Sequence, residues 1–295
     1  MTLQSTTEIQ ETIAKKNSIK YKISKNIIKT LTFWIFPHIL RRQAKRNLRY
    51  WFGIGLKPES MWNRYQYNKI QKTYIANFAQ TDIFSYHIVS LGCDCLSRTI
   101  PTLWGIKPRK KQGELSLPFD LSINSLEGIV KNLKEDFANY FDGLKFNGIH
   151  WTIPQSKTSF VHEDDCNKDD IEKIKERFIR RVNNLRNILN SPKPIIFINH
   201  HTPTTKTPQE IAGLYNELYN ILQEKRQGKP FKLLIVDTKD IVFQKDLLPQ
   251  IETYSVNYLP KDYIWHFPEH RMTPNGILFE KGLIKTIEKL IQEIK

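Results

Sequence analysis

Two unbroken apolar runs place the strongest constraint on how this chain can fold. They are PIIFINHH at 194–201 and FKLLIVDTKD at 231–240, and a helical pattern from about Pro208 to Gln227 separates them. Apolar runs without polar alternation are typical of strands buried on both faces of a parallel sheet. Parallel strands need a crossover connection, and the intervening helix supplies one. We therefore predict an α/β fold, with a mainly parallel sheet covered by helices on both faces.

Further elements are predicted on either side of these runs. They are a helix over Met61–Ala79, a strand over Phe84–Leu91, helices over Leu126–Phe141 and Asp169–Asn190, a strand within 251–259 and a terminal helix from Ile277. We divide the chain into a leader over 1–58, a connecting helix over 59–82 and an α/β domain of catalytic type over 83–295.

The leader carries most of the basic character of the chain. The formal net charge is +15, and residues 12–58 contain twelve Lys or Arg and no Asp or Glu. Its least polar part, 27–40, still contains Lys29 and Pro37 and is too short to span a membrane. Apolar and aromatic groups among lysines favour a basic helical leader that binds a membrane surface through residues 15–52. A basic tail or a helix packed on the body remains an alternative, and nucleic acid is the least supported partner because no RNA-binding pattern is present.

Cysteine usage indicates the compartment. The chain has three cysteines, Cys93, Cys95 and Cys166, and its first residues lack the basic, apolar and small-residue order of a secretory signal. We therefore predict a reducing cytoplasmic location, peripheral on the inner membrane.

The segment HIVSLGCDCLSRTI at 87–100 places two of these cysteines just after a predicted strand. Zinc sites usually need a second ligand pair, which Cys93 and Cys95 lack, so we predict no metal and no cofactor. A disulfide across one residue is disfavoured by geometry. Two interpretations remain open: a nucleophilic thiolate stabilised by helix amides, or small residues packed in a core.

Several short motifs occur in a characteristic order: VSLGCDC at 89–95, SLPFDL at 116–121, FVHED at 160–164, RFIRRVNNL at 177–185 and PIIFI at 194–198. Together they resemble a bacterial family described as papain-like cysteine peptidases of unknown function, over about residues 86–265. The resemblance implies that Cys95 is the nucleophile, that His162 is the base and that Asp120 or Asp164 orients the imidazole. Two positions depart from the family pattern: Leu121 replaces an aromatic residue, and Pro101 interrupts the helix expected after the cysteine.

Plainer interpretations of these residues also stand. His162 can be an exposed loop histidine, and Asp120 can cap the following helix. A looser resemblance to SGNH-type esterases and acetyltransferases places the base at His266 or His270. In that case Asn199 is an oxyanion donor, and the nucleophile is drawn from Cys93, Cys95 and Ser90.

These observations predict a cysteine-dependent acyl hydrolase or acyl transferase that acts in cell-envelope polysaccharide or lipopolysaccharide metabolism. An anionic or glycan substrate would be held by Arg180, Arg181 and Asp237. One alternative is a glycosyltransferase-like envelope enzyme. The segment VDTKD at 236–240 contains an acidic pair, beginning at Asp237, that is a weak candidate for binding a diphosphate through a metal ion. Another is a membrane-associated scaffold without catalytic activity.

Overall fold

The computed structural model describes residues 19–33, 38–52, 61–163 and 165–294. The chain forms two compact units. One comprises the described residues up to Asn68 together with Pro203–Thr205 and Asp262–Ile277, and the other comprises Lys69–Thr202, Lys206–Lys261 and the chain from Leu278. The proposed boundaries at 58/59 and 82/83 stay predictions.

The helices in chain order are α1 (Ile19–Leu31), α2 (His38–Trp51), α3 (Met61–Phe78), α4 (Leu96–Trp104), α5 (Leu126–Lys134), α6 (Ile171–Asn190), α7 (Pro208–Arg226), α8 (Pro268–Arg271) and α9 (Pro274–Ile294). The strands are β1 (His87–Ser90), β2 (Lys145–Phe146), β3 (Trp151–Ile153), β4 (Thr158–Phe160), β5 (Ile195–His200), β6 (Phe231–Val236) and β7 (Ile251–Tyr254). Among the described residues, no helix is both long and apolar enough to cross a membrane.

The larger unit is built on a parallel sheet of order β1-β5-β6-β7, in which every neighbouring pair is parallel. Ile195 and Phe197 of β5 belong to a core cluster with α6 and α7, and their opposite-facing neighbours Ile196 and Ile198 are equally buried. Successive side chains of a strand point to opposite faces, so both faces of this strand are covered. The predicted α/β class with a mainly parallel, helix-covered sheet is therefore confirmed.

A second sheet was not predicted. The short strands β2, β3 and β4 form an antiparallel meander that lies between α5 and α6 in the chain, and Ile123 forms an isolated bridge with Ser159 of β4. Trp151 and Phe160, which face each other in this sheet, are buried in the core cluster. The meander is thus part of the core of the larger unit, and its last residue, Phe160, is the first residue of the FVHED motif.

Two helices differ from the predictions. The helix predicted to reach Phe141 ends at Lys134, because Asp136 and Phe137 adopt positive φ angles of 46° and 62° and direct the chain out of the helical path. By contrast, α4 continues through Pro101 to Trp104. The proline expected to interrupt the helix after the cysteines is therefore accommodated within it.

Candidate active site

A tight turn between β1 and α4 presents Cys95. Gly92 and Cys93 both have positive φ, at 72° and 53°. A Cβ atom at Gly92 would lie 2.9 Å from Asn124 Nδ2, so the position needs glycine for space as well as for conformation. Cys93 holds a left-handed conformation that is uncommon for a residue with a side chain, and its carbonyl accepts a hydrogen bond from the Asn124 amide. The turn leaves Cys95 at the N-cap of α4.

The thiol of Cys95 contacts an imidazole. Its Sγ atom lies 3.3 Å from Nε2 of His162, which follows the end of β4 by two residues. Cys95 is 9% exposed, whereas the histidine is exposed. The imidazole is therefore the solvent-exposed member of the pair. Thiol and base at this separation form the basic unit of nucleophilic catalysis by cysteine.

The residue after His162 anchors this histidine. Glu163 is buried and pairs with two arginines of α6, with Oε1 2.7 Å from Nη1 of Arg181 and Oε2 paired with Arg177. Arg177 also binds Asp165 at 2.7 Å. A buried carboxylate held by two guanidinium groups fixes the backbone next to it. The turn that carries His162 is thus tied to α6.

The same contacts locate the arginines predicted to bind substrate. The guanidinium of Arg181 lies 4.4 Å from the ring centroid of Phe178 and pairs with Glu163, so this side chain is occupied in the fold. Arg180 is exposed on α6 and has no polar partner among the described residues. Their role in substrate binding stays a prediction.

The Cys95 thiol is neutral at rest. Burial, followed by the charges of Asp94 and Asp120, raises its pKa to about 12, and the opposing effect of Arg98 is smaller. At neutral pH the sulfur therefore carries its proton, and an adjacent base must remove it as the sulfur attacks.

Asp120 contacts α4 through Arg98. Its carboxylate is buried, accepts a hydrogen bond from the Leu117 amide at 2.8 Å and is 3.3 Å from Nε of Arg98. Burial raises its pKa, and the charges of Lys107 and Arg98 oppose that shift. Within the part of the chain that the structure describes, this carboxylate does not contact the His162 imidazole. Asp164, the other candidate to orient that ring, lies outside the described residues.

Cys93 occupies a different environment. Asn199 Nδ2 lies 3.5 Å from its sulfur and also donates to the Leu91 carbonyl at 3.1 Å. The Tyr215 hydroxyl donates to Asn199 Oδ1 at 2.7 Å and contacts Nδ1 of His201 at 3.1 Å. Burial raises the pKa of Cys93 to about 12. This thiol is packed within a polar network and has no described contact with an imidazole.

The contact between Asp94 and His200 was not predicted from the sequence. Asp94 Oδ1 accepts from the Leu96 amide at 2.9 Å, and Oδ2 is 2.9 Å from Nδ1 of His200. Burial opposes the charged form of this ring, but the charge and hydrogen bond of Asp94 and the charge of Asp237 outweigh it and raise the pKa of His200. Burial raises the pKa of Asp237 to about 6. The sequence offered two signals for this contact. Asp94 lies between two cysteines, and His200 lies at the end of a predicted strand.

The remaining candidates lie apart from the thiol–imidazole contact or in the other unit. The Ser90 hydroxyl is fully buried and donates to the Phe119 carbonyl at 3.4 Å. His266 and His270 belong to the smaller unit, where the Ile264 amide donates to Nδ1 of His270 at 2.8 Å. The roles proposed for these residues by the SGNH-type resemblance stay predictions. No group of three or more His, Cys, Asp or Glu suited to a metal ion occurs among the residues that the structure describes.

Similarity to known proteins places the site within a family. A search of curated proteins found no match, and neither did a search of solved structures. A family model described as putative papain-like cysteine peptidase matches residues 86–240, slightly more than half of the chain, and this range includes both Cys95 and His162. The match supports a cysteine hydrolase at the level of enzyme class. The chain therefore belongs to the putative papain-like cysteine peptidase family.

Proposed function

We propose that this protein is a cysteine-dependent acyl hydrolase in which Cys95 is the nucleophile and His162 is the general base. The observation that carries the proposal is the 3.3 Å separation between Cys95 Sγ and His162 Nε2. Membership of the family supports the same class of chemistry. The bond that is cleaved belongs to an amide, an ester or a thioester. Attack of the thiol on any of these three forms the same type of tetrahedral intermediate.

In the first half-reaction, the sulfur of Cys95 attacks the carbonyl carbon while its proton moves to Nε2 of His162. The tetrahedral oxyanion accepts hydrogen bonds from the Ser97 and Arg98 amides, which lie in the first turn of α4 and have no intrahelical acceptor. The imidazolium then returns the proton to the leaving amine, alcohol or thiol as the bond to it breaks. The product is a thioester on Cys95.

In the second half-reaction, the thioester is cleaved by an acceptor. When the acceptor is water, His162 removes its proton as the oxygen attacks the thioester carbonyl. The carbon–sulfur bond then breaks, the imidazolium returns the proton to the sulfur of Cys95, and the carboxylic acid is released. When the acceptor is an alcohol or amine, the acyl group is transferred instead, and we include such transfer to an envelope glycan or lipid in the proposal. The basic leader supports this extension because it would hold the enzyme where such acceptors are found.

The exposed face of α1 supports a membrane-surface location for the leader. Ile23, Ile27 and Leu31 recur every four residues along this helix and are all more than 40% exposed, while Lys25 and Lys29 are also exposed. Burial of the apolar stripe among acyl chains would stabilise binding, and the lysines would attract anionic headgroups. We commit to an anionic lipid surface as the partner because the leader has no acidic residue between 12 and 58.

The decisive experiment is acylation of the intact protein with p-nitrophenyl acetate, followed by digestion and mass spectrometry. We expect the acetyl group on Cys95, none in Cys95→Ala, and a rate about 100-fold lower in His162→Ala because general base catalysis is removed. Cys166→Ala is the control and should label normally. Equal labelling of Cys95 and Cys166, or no effect of His162→Ala, would refute the proposal. Decay of the thioester in water alone indicates hydrolysis, whereas decay only after addition of an alcohol or amine indicates transfer.

A further inference from the structure

Arg98 lies on the same side of α4 as the candidate nucleophile. It follows Cys95 by three residues, and residues three apart are neighbours on a helix surface. Its side chain is 14% exposed, and its charge opposes the rise in the pKa of Cys95. This side chain was not among the candidates identified from the sequence.

Only part of the Arg98 guanidinium group has a partner in the fold. Its single charged partner among the described residues is Asp120, whose Oδ2 lies 3.3 Å from Nε. That contact uses the inner edge of the group. The terminal nitrogens carry four further N–H donors, and the structure gives them no acceptor within the described part of the chain.

Asp94 and Asp120, the acidic residues whose charges act on Cys95, each have a partner within the fold. Asp94 accepts hydrogen bonds from the Leu96 amide and faces His200. Asp120 accepts from the Leu117 amide, and its charge is also offset by Lys107. Asp120 Oδ1 and His200 Nε2 also lack partners among the described residues, but both atoms are buried. The terminal nitrogens of Arg98 are therefore the donors of the site that remain for an anion from solvent. A planar edge of this kind binds a carboxylate or phosphate through two parallel hydrogen bonds.

We propose that Arg98 forms an anion-binding subsite beside Cys95, so that the acyl substrate carries a carboxylate or phosphate group close to the carbonyl that is attacked. This inference rests on the proposed function, because it assigns the substrate class of the same site. The anion would neutralise the outer guanidinium edge while the inner edge stays on Asp120. Binding there would orient the carbonyl over the sulfur before the proton moves to His162.

The test compares two alkylating reagents that differ in charge. Both iodoacetate and iodoacetamide react with the same thiolate, so the ratio of their rates at Cys95 cancels any change in thiolate fraction. Rates at mildly alkaline pH are measured by residue-resolved mass spectrometry, with glutathione as the reference thiol. We expect the iodoacetate-to-iodoacetamide ratio at Cys95 to exceed that of glutathione, and Arg98→Gln to lower it about three- to tenfold, as expected for loss of one partly screened ion pair.

Matched variants separate a local subsite from general electrostatics and from misfolding. Lys285→Gln removes one positive charge from an exposed position on α9 and should leave the ratio unchanged. Arg98→Gln leaves Asp120 buried beside an uncharged partner, so the double variant Arg98→Gln/Asp120→Asn is measured as well. It should fold and show a lower ratio than Asp120→Asn. Asp120→Asn alone should raise the ratio. Arg98→Lys keeps the charge and should retain most of the preference for iodoacetate.

The subsite would be overturned if Arg98→Gln left the ratio unchanged and the double variant matched Asp120→Asn. An equal fall in Lys285→Gln would also overturn it. These outcomes are independent of the proposed catalytic pair. Failure of that pair would appear as normal acetylation of Cys95 in His162→Ala, whatever the reagent ratio.

Discussion

Cys95 and His162 lie 67 positions apart in the chain, yet Sγ of one is 3.3 Å from Nε2 of the other. Two separate sheets produce this contact. The cysteine is presented at the carboxyl end of β1 in the parallel sheet, and the histidine is presented beyond β4 in the antiparallel meander. Changes that loosen either attachment should therefore lower the rate of acylation without altering the two reacting groups.

Glu163→Gln tests the attachment of the histidine. Removing the charge leaves Arg177 and Arg181 without their shared partner, so we expect unfolding to require about 1–3 kcal/mol less free energy. The acylation rate of Cys95 should fall about tenfold because the turn at His162 is less well fixed. Denaturant unfolding and acetylation rates measure the two effects.

The control for this variant is Glu172→Gln, which removes an exposed charge paired with Lys175 and should change stability by less than about 0.5 kcal/mol. A destabilised Glu163→Gln variant with a normal acylation rate would show that the buried carboxylate does not position the histidine.

Gly92→Ala tests the turn that presents the cysteine. Its φ is 72°, and an added Cβ would meet Asn124 Nδ2 at 2.9 Å and Phe119 Cβ at 3.4 Å. We expect the free energy of unfolding to fall by about 2–4 kcal/mol, because left-handed strain and steric overlap act together. Gly113 has φ 92° but no atom within 4 Å of its added Cβ, so Gly113→Ala should lose only about 1 kcal/mol. Equal losses in the two variants, measured by denaturant unfolding, would mean that overlap at Gly92 is relieved without cost.

Asp237→Asn tests the buried charges at the strand ends. The pKa of Asp237 is raised from 3.8 to about 6, so the folded protein binds the proton more tightly than the unfolded chain does. Ionisation of Asp237 therefore lowers the free energy of unfolding as pH rises from about 4 to 6. Asp237→Asn cannot ionise and should keep this free energy. We expect Asp237→Asn to be more stable than the parent by about 1–3 kcal/mol above pH 6 and equal to it below pH 4. Thermal unfolding across this range provides the measurement. A variant that is less stable at pH 7 would indicate that attraction between the Asp237 charge and His200 outweighs burial.

Ile27→Asp tests the exposed stripe of α1. We expect the parent protein to pellet with phosphatidylglycerol vesicles, to release as salt is added, and not to pellet with phosphatidylcholine vesicles. The substitution should weaken this binding about tenfold because an apolar side chain no longer enters the acyl region. Ile179→Asp makes the same change at an exposed isoleucine of α6 and should bind normally. Equal pelleting with neutral and anionic vesicles would contradict the membrane proposal.

The parallel sheet could be predicted from the sequence because β5 and β6 are largely buried on both faces and so consist of unbroken apolar runs. The antiparallel meander could not be predicted in the same way, since its strands contain only two or three residues and leave no period to detect. The end of α5 was missed because apolar spacing continues to Phe141, while the backbone departs at Asp136. Spacing alone carries no information about left-handed residues that are not glycine.

Some residues of the candidate site were likewise predicted from the sequence, and others were not. Cys95 and His162 were named through family resemblance, since no local pattern indicates that a strand-end thiol and a distant loop imidazole meet. Asp94, Arg98 and His200 were not assigned roles, because their importance depends on partners supplied by other elements. Tertiary contacts define such residues, and the sequence shows only that each is polar.

The protonated state of Cys95 also bears on how the protein survives oxidants. Peroxide attacks thiolates rather than thiols, and a pKa of about 12 leaves almost no thiolate at neutral pH. An idle molecule should therefore resist conversion of its sulfur to sulfenic acid. The sulfur would become reactive only while a bound acyl group and the neighbouring imidazole share its proton, so the chemistry that consumes substrate also restricts the time during which the nucleophile can be damaged.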